Sequence, residues 1–143
     1  MADTQTHIFR ASARPKISRE FEISSSRSLY DLAAAIVRLF EFDFDHAFGF
    51  YFSLKGNIWH SPIQYELFAD IGESDARSVK KSRIADAFPS IGDAMIFLYD
   101  YGDEWHFRME VIGLSRKEPR IKYPRLLKSV GAAPVQYPDW EDE

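Results

Sequence analysis

The chain has 143 residues, 45% of them hydrophobic, 15% aromatic and 28% charged, with a formal net charge of -4 and no cysteine. That length fits one domain on a prior of roughly 100–200 residues per domain, and such a domain buries roughly 68–70% of its unfolded surface without needing staples. The missing cysteines exclude disulfides, thiolate catalysis and cysteine-ligated zinc or iron–sulfur centres, and a mild negative charge exerts no global pull on nucleic acid.

Met1 to His7 carries neither a basic nor an apolar leader region. No apolar run approaches the ~20 residues of a membrane span, so a cytoplasmic, non-membrane protein is expected. Ile8 to Ala13 reads as a strand and Arg14-Pro15 as a break. Ile17, Arg19, Phe21 and Ile23 then alternate with Ser18, Glu20 and Glu22. This period of two predicts a second strand, antiparallel to the first across so short a connection. Ser24 to Ser26 is a loop. Ser28 and Asp31 match a capping box, and Asp31 suits the positive end of a helix dipole. Leu29, Leu32, Ala33, Ile36, Val37 and Phe40 fall at helical spacing. They predict a helix over Leu29–Phe40 whose polar face carries Asp31, Arg38 and Glu41.

Asp43 to His46 turns the chain. Phe48, Phe50, Phe52 and Leu54 alternate with Gly49, Tyr51 and Ser53, which predicts a third strand. Gly49 within it marks a bulge or the close approach of another segment. Gly56-Asn57 is a turn, with Ile58-Trp59 starting a short return strand. Gly72 to Ser82 reads as a surface loop, and Arg83 to Phe88 as a helical turn stopped by Pro89.

Ala94 to Asp100 is apolar and aromatic, and Tyr101-Gly102-Asp103 is turn-like. Trp105, Phe107, Met109 and Val111 then alternate with His106, Arg108, Glu110 and Ile112. This is a long hairpin with one buried face and one largely polar face. Beyond Leu114 come Arg116, Lys117, Arg120, Lys122, Arg125 and Lys128, opposed by Glu118, with Tyr123-Pro124-Arg125-Leu126-Leu127 read as a short helical turn. Gly131 to Pro134 is a loop, and the tail at 137–143 is acidic. The order β-β-α-β, a loop-rich middle and a β-β hairpin predicts an α+β fold in one domain over 1–143. Its sheet is mostly antiparallel, with one main amphipathic helix packed on one face.

Chemistry-bearing residues gather in two places. Asp100, Asp103, Glu104 and His106 lie at the hairpin tip, and Asp43, Asp45 and His46 follow the helix. Carboxylates with an imidazole can hold a divalent metal or do acid–base work. Asp at a turn also satisfies backbone groups. If the two clusters meet, the metal ligands are Asp45, His46, Asp100, Asp103 and Glu104. No G-x-S-x-G elbow, no phosphate-binding glycine loop and no H-E-x-x-H motif is present. His7 and His60 are isolated. Arg116, Lys117, Arg120, Lys122, Arg125 and Lys128 form a nucleic-acid footprint for weak, salt-sensitive phosphate contacts, with Tyr123 able to stack on a base. A solvated basic edge is the plainer account of the same residues.

Tyr99-Asp100-Tyr101-Gly102-Asp103-Glu104-Trp105 resembles the Y-D-[FY]-G-D-x-W signature of the plasmid pRiA4b ORF-3-like family, whose members include passengers of mobile insertion elements. Ser28-Leu29-Tyr30-Asp31-Leu32 resembles that family's helix start. Phe42 to Phe52, with Asp45-His46, resembles its strand entry. Tyr123-Pro124 and Gly131-Ala132-Ala133-Pro134 resemble its ending. The resemblance spans nearly the whole chain. It implies an α+β fold centred on the hairpin and brings no established activity. From the residues themselves, Tyr99, Tyr101 and Trp105 read as an aromatic clamp around a Gly102 turn shaped by Asp100 and Asp103.

Two departures matter. Many members carry a His two residues after the Trp, where this chain has Phe107; His106 comes one residue early, on the opposite strand face. Many also have a Cys-containing acidic ending, replaced here by Val135-Gln136-Tyr137-Pro138. The expected function is a non-enzymatic binding module with a protein partner, linked to a plasmid or mobile element. The rivals are a metal-dependent, hydrolytic site and a weak nucleic-acid binder. No cofactor follows from the sequence.

Overall fold

Period-two patterning builds the first hairpin. β1 (Gln5–Arg14) and β2 (Ile17–Ser24) pair antiparallel with Phe9 opposite Phe21, and both rings are fully buried. The computed structural model describes residues 4–14, 16–54 and 56–137. Pro15 of the expected break, and the acidic tail beyond Tyr137, lie outside the described residues.

α1 (Leu29–Leu39) starts where the capping pattern places it: the Ser28 side chain accepts from the Asp31 amide at 3.1 Å. This satisfies one of the N–H groups that a helix start leaves without a partner. Leu29, Leu32, Ile36 and Val37 are buried, in one core cluster with Phe9, Phe21, Phe48, Phe97 and Phe107. The rest of the chain adds β3 (Phe48–Tyr51), a 3-10 turn (Ile58–His60), β4 (Gln64–Glu66) and α2 (Leu67–Asp70). Then come β5 (Arg77–Ser78), α3 (Ile84–Ala87), β6 (Ala94–Tyr99), β7 (Trp105–Arg116) and β8 (Arg125–Val130).

All the strands join one 8-stranded sheet in the order β5-β4-β3-β6-β7-β1-β2-β8. Every pairing is antiparallel except β4 with β5. Phe48, Phe50, Phe97, Tyr99, Phe107, Met109 and Val111 face the main core. Alternate residues of β3 and β6 point the other way. There Tyr51 and Leu98 pack with Ile58 in a smaller cluster, bordered by Ile96 and Tyr101. Among the described residues, no helix is long and apolar enough to cross a membrane.

The structure departs from the sequence expectations at four elements. Gly72 to Ser82, expected as a surface loop, contains β5 and the fully buried Val79. β3 stops at Tyr51, and Phe52 and Leu54 are exposed. Ile58-Trp59 enters a 3-10 turn because the Asn57 side chain caps the Trp59 amide at 2.9 Å, and the return strand forms later, at Gln64–Glu66. The segment read as a helical turn at Tyr123–Leu127 instead leads into edge strand β8, pairing with β2.

Candidate functional site

Tyr99 pairs with Trp105 as the last rung of the β6–β7 hairpin, leaving Asp100 to Glu104 as the tip. The Glu104 amide donates to the Asp100 carbonyl at 2.6 Å. Asp100 Oδ1 accepts from the amides of Gly102 at 3.0 Å and Asp103 at 3.3 Å. The left-handed residues of this turn are Asp100 (φ 66) and Glu104 (φ 52). Asp tolerates that region because its short side chain bonds locally, as it does here. A Cβ at Gly102 would lie 3.3 Å from Asp100 Oδ1, in tight contact with the atom that accepts the turn's amides. The motif acid Asp100 therefore shapes the turn.

The Asp43–His46 segment docks on this hairpin through Tyr99. The Tyr99 hydroxyl donates to the Asp43 carbonyl at 2.5 Å and accepts from the amides of Asp45 at 2.7 Å and His46 at 3.1 Å. A second clamp comes from Gln136, which is buried. Its Oε1 accepts from the Asp43 amide at 2.7 Å and its Nε2 donates to the Asp43 carbonyl at 3.1 Å, so one side-chain amide matches one backbone unit.

This docking brings His46 between the two acidic clusters. His46 Nε2 lies 3.5 Å from Asp45 Oδ1, 3.4 Å from Asp100 Oδ2 and 2.5 Å from the Tyr137 hydroxyl. Tyr137 in turn donates to Asp45, with its hydroxyl 3.0 Å from Oδ2. Desolvation pushes the Asp45 carboxyl upward, but hydrogen bonds from Tyr137 and Tyr99 and the charge of His46 outweigh it and hold the group below its ordinary value. Desolvation and the Asp45 carboxylate push the Tyr137 hydroxyl up to about 12, so it stays a neutral donor. Among the described residues, no group of three or more His, Cys, Asp and Glu side chains is arranged to hold a metal ion. Of the five sequence-predicted ligands, Asp45, His46 and Asp100 come together at His46 Nε2. Glu104 turns instead toward His106, at 3.5 Å.

Beside this cluster opens a cleft of about 660 Å³ lined by Ala13, Arg14, Asp103, Glu104, Trp105, His106, Gln136 and Tyr137. On its core side Trp105 makes a T-shaped contact with Phe42, with ring centroids 4.9 Å apart. Its indole Nε1 is buried and, among the described residues, is the side-chain polar atom left without a hydrogen-bond partner. The Arg14 guanidinium stands 6.0 Å from the centre of the Trp105 ring. Arg14, Gln136 and Tyr137 were not singled out by sequence reasoning as site residues. Arg14 reads there only as part of the Arg14-Pro15 break, and nothing local marks Gln136 as a partner of Asp43.

Tyr101 belongs to a different cluster, across the sheet. Its hydroxyl lies 2.7 Å from that of Tyr51, which donates to Glu66. Burial raises both phenols, Tyr101 to about 12. Gly49 makes room for the pair: a Cβ there would sit 2.8 Å from each hydroxyl. This is the close approach expected at Gly49. The basic residues spread over the end of β7, the following loop and β8. Arg125 is paired with the buried Glu22 at 2.9 Å, while Arg116, Lys117, Arg120, Lys122 and Lys128 are exposed and, among the described residues, form no ion pair.

The model of the family described as plasmid pRiA4b ORF-3-like protein matches residues 3–137. The fold also matches the crystal structure of MM3350, a protein of unknown function from Methanosarcina mazei Go1. The TM-score is 0.77 at 19% identity, covering 93% of this chain and 73% of that one. At that identity the likeness shows the fold alone. No curated protein matches the chain. The family match covers all of the described residues, and the chain belongs to the plasmid pRiA4b ORF-3-like family.

Proposed function

We propose that this chain is a non-enzymatic binding module that takes a protein partner at the hairpin tip, in the cleft beside Trp105. In this reading α1 is the one main helix packed on the sheet, backing a rigid platform. The module acts in the cytoplasm and is linked to a plasmid or mobile element. The observation that carries it is an open cleft of about 660 Å³ with the Trp105 indole in its wall. Trp, Tyr and Arg, which carry most binding energy in interfaces, all line the cleft. Asp103 and Glu104 line the cleft itself, while the neighbouring Asp100 is engaged in the turn and Asp45 with Tyr137.

An array of immobilised peptides of basic, acidic and apolar composition tests this, probed with the intact chain and with Trp105→Phe. A subset of peptides should bind the wild type and be lost with the variant, its circular dichroism unchanged. Binding of no peptide, or the same set bound by both proteins, refutes the reading. A second reading, a metal-dependent hydrolytic site, rests on the meeting of Asp45 and Asp100 at His46 Nε2; the three would have to rearrange to bind an ion, since as they stand they form no ligand set. Calorimetric titration with zinc or manganese should then show heat that His46→Ala abolishes; no heat removes it.

A further inference from the structure

The cleft beside Trp105 already holds a cation. Arg14 is exposed and, among the described residues, forms no ion pair. Its guanidinium stands over the indole at 6.0 Å instead, within the range of a cation–π contact. The same cleft is lined by the carboxylates of Asp103 and Glu104, both exposed. Glu104 meets His106 at 3.5 Å, and Asp103 has no ion-pair partner among the described residues. Two carboxylates against one guanidinium give the lining a negative formal charge. The acids Asp45 and Asp100 stand close by, Asp45 sharing Tyr137 with the cleft.

We infer that this cleft binds a cationic side chain, Arg or Lys, presented by an extended segment of the partner protein, and that Arg14 is the intramolecular occupant it displaces. The inference rests on the binding-module reading and names the partner's chemistry. Trp105 supplies a π face, the strongest of the aromatic faces for a cation, and Asp103 and Glu104 supply the counter-charge. A carboxylate ligand would satisfy Arg14 but would sit against Asp103 and Glu104.

Fluorescence anisotropy with the full chain tests the assignment, using labelled peptides of alternating Ala and Arg, Ala and Glu, or Ala and Ser at low and physiological salt. The Arg peptide should bind best, and more weakly as salt rises. D103N/E104Q should weaken it by about tenfold or more, as expected for losing charge partners of a bound cation. R14A should tighten it several-fold by removing the competitor. Arg14 is exposed at a strand end, so R14A stays interpretable even if the double variant misfolds. Weaker binding in R14A, preference for the Glu peptide, or indifference to D103N/E104Q in a folded protein each overturns the inference. If the Glu or Ser peptide binds and Trp105→Phe abolishes that binding, the cation assignment fails while the binding-module reading stands. If no peptide of any class binds at low salt, both fail.

Discussion

The hydroxyl of Tyr99 accepts a hydrogen bond from the Asp45 amide at 2.7 Å, across a separation of 54 positions in the chain. The same oxygen serves the His46 amide and donates to the Asp43 carbonyl. One motif tyrosine thereby fastens the acidic loop to the hairpin. Tyr99→Phe keeps the buried ring and removes every one of these bonds. It should cost about 1–3 kcal/mol in urea unfolding, the range for leaving such groups unpaired. Exchange of the Asp45 and His46 amides should speed up selectively. Unchanged exchange at both would show that the loop is held by other means.

Gly49 owes its identity to crowding rather than to its backbone. The Cβ of an alanine there would stand 2.8 Å from the Tyr51 and Tyr101 hydroxyls and 2.9 Å from Tyr51 Cε2. Tyr51 is fully buried and cannot swing aside. Gly49→Ala should therefore cost about 1–3 kcal/mol, the usual range for overpacking. It should also separate the two phenols, seen as a changed near-ultraviolet circular dichroism spectrum. A variant of wild-type stability with an unaltered spectrum would refute this account.

Elements whose cause is local were readable from the chain. Phe48 and Phe50, and Trp105, Phe107, Met109 and Val111, alternate within one strand, and the α1 start follows from Ser28 and Asp31 alone. β8 was not readable, because its reason for being a strand is β2, and Glu22 and Arg125 stand 103 positions apart. Taken locally, a basic run after Tyr123-Pro124 has no strand period. β4 and β5, of 3 and 2 residues, are too short to show one. At the candidate site the acids were visible as composition, and the two clusters proved to meet at His46. Gln136 and Arg14 were invisible as partners, since what they touch is brought there by the fold and not by neighbours in sequence.

His7 should make the protein acid-sensitive. It is buried, with Nε2 2.7 Å from the Phe88 carbonyl and Nδ1 2.6 Å from Ser25 Oγ. A carbonyl only accepts, so Nε2 carries a proton; with the ring neutral, Nδ1 accepts from the Ser25 hydroxyl. Burial lowers the imidazole pKa from 6.5, against smaller upward pulls from Phe88 and Asp93. The unfolded chain therefore takes up a proton that the native state refuses. This contribution to stability is complete above pH 6.5 and is lost as pH falls from there toward the depressed native value, below which it levels. The slope in that window is at most about 1.4 kcal/mol per pH unit. Urea midpoints measured across it should fall with pH for the wild type and stay flatter for His7→Gln. Equal slopes in the two proteins would assign the acid sensitivity to other groups.

Glu22 and Arg125 hold the edge strand unequally, and the inequality can be measured. The Glu22 side chain is 3% exposed and that of Arg125 36%. Thr6, fully buried, donates to Glu22 Oε2 at 2.5 Å, and Arg125 donates to Oε1 at 2.9 Å. Removing the arginine strands a buried carboxylate, whereas a freed guanidinium at the edge can turn to water. Arg125→Ala should then destabilise by about 1–3 kcal/mol, the lower figures reflecting the partial exposure of the pair. Amide exchange should quicken along β8. Adding Glu22→Gln should recover part of that loss, because the charge with no partner is gone while an acceptor for Thr6 remains. A double-mutant cycle reads this directly. If the double variant is no more stable than Arg125→Ala alone, the stranded charge is not what the single substitution costs, and the pair acts by packing its aliphatic stems.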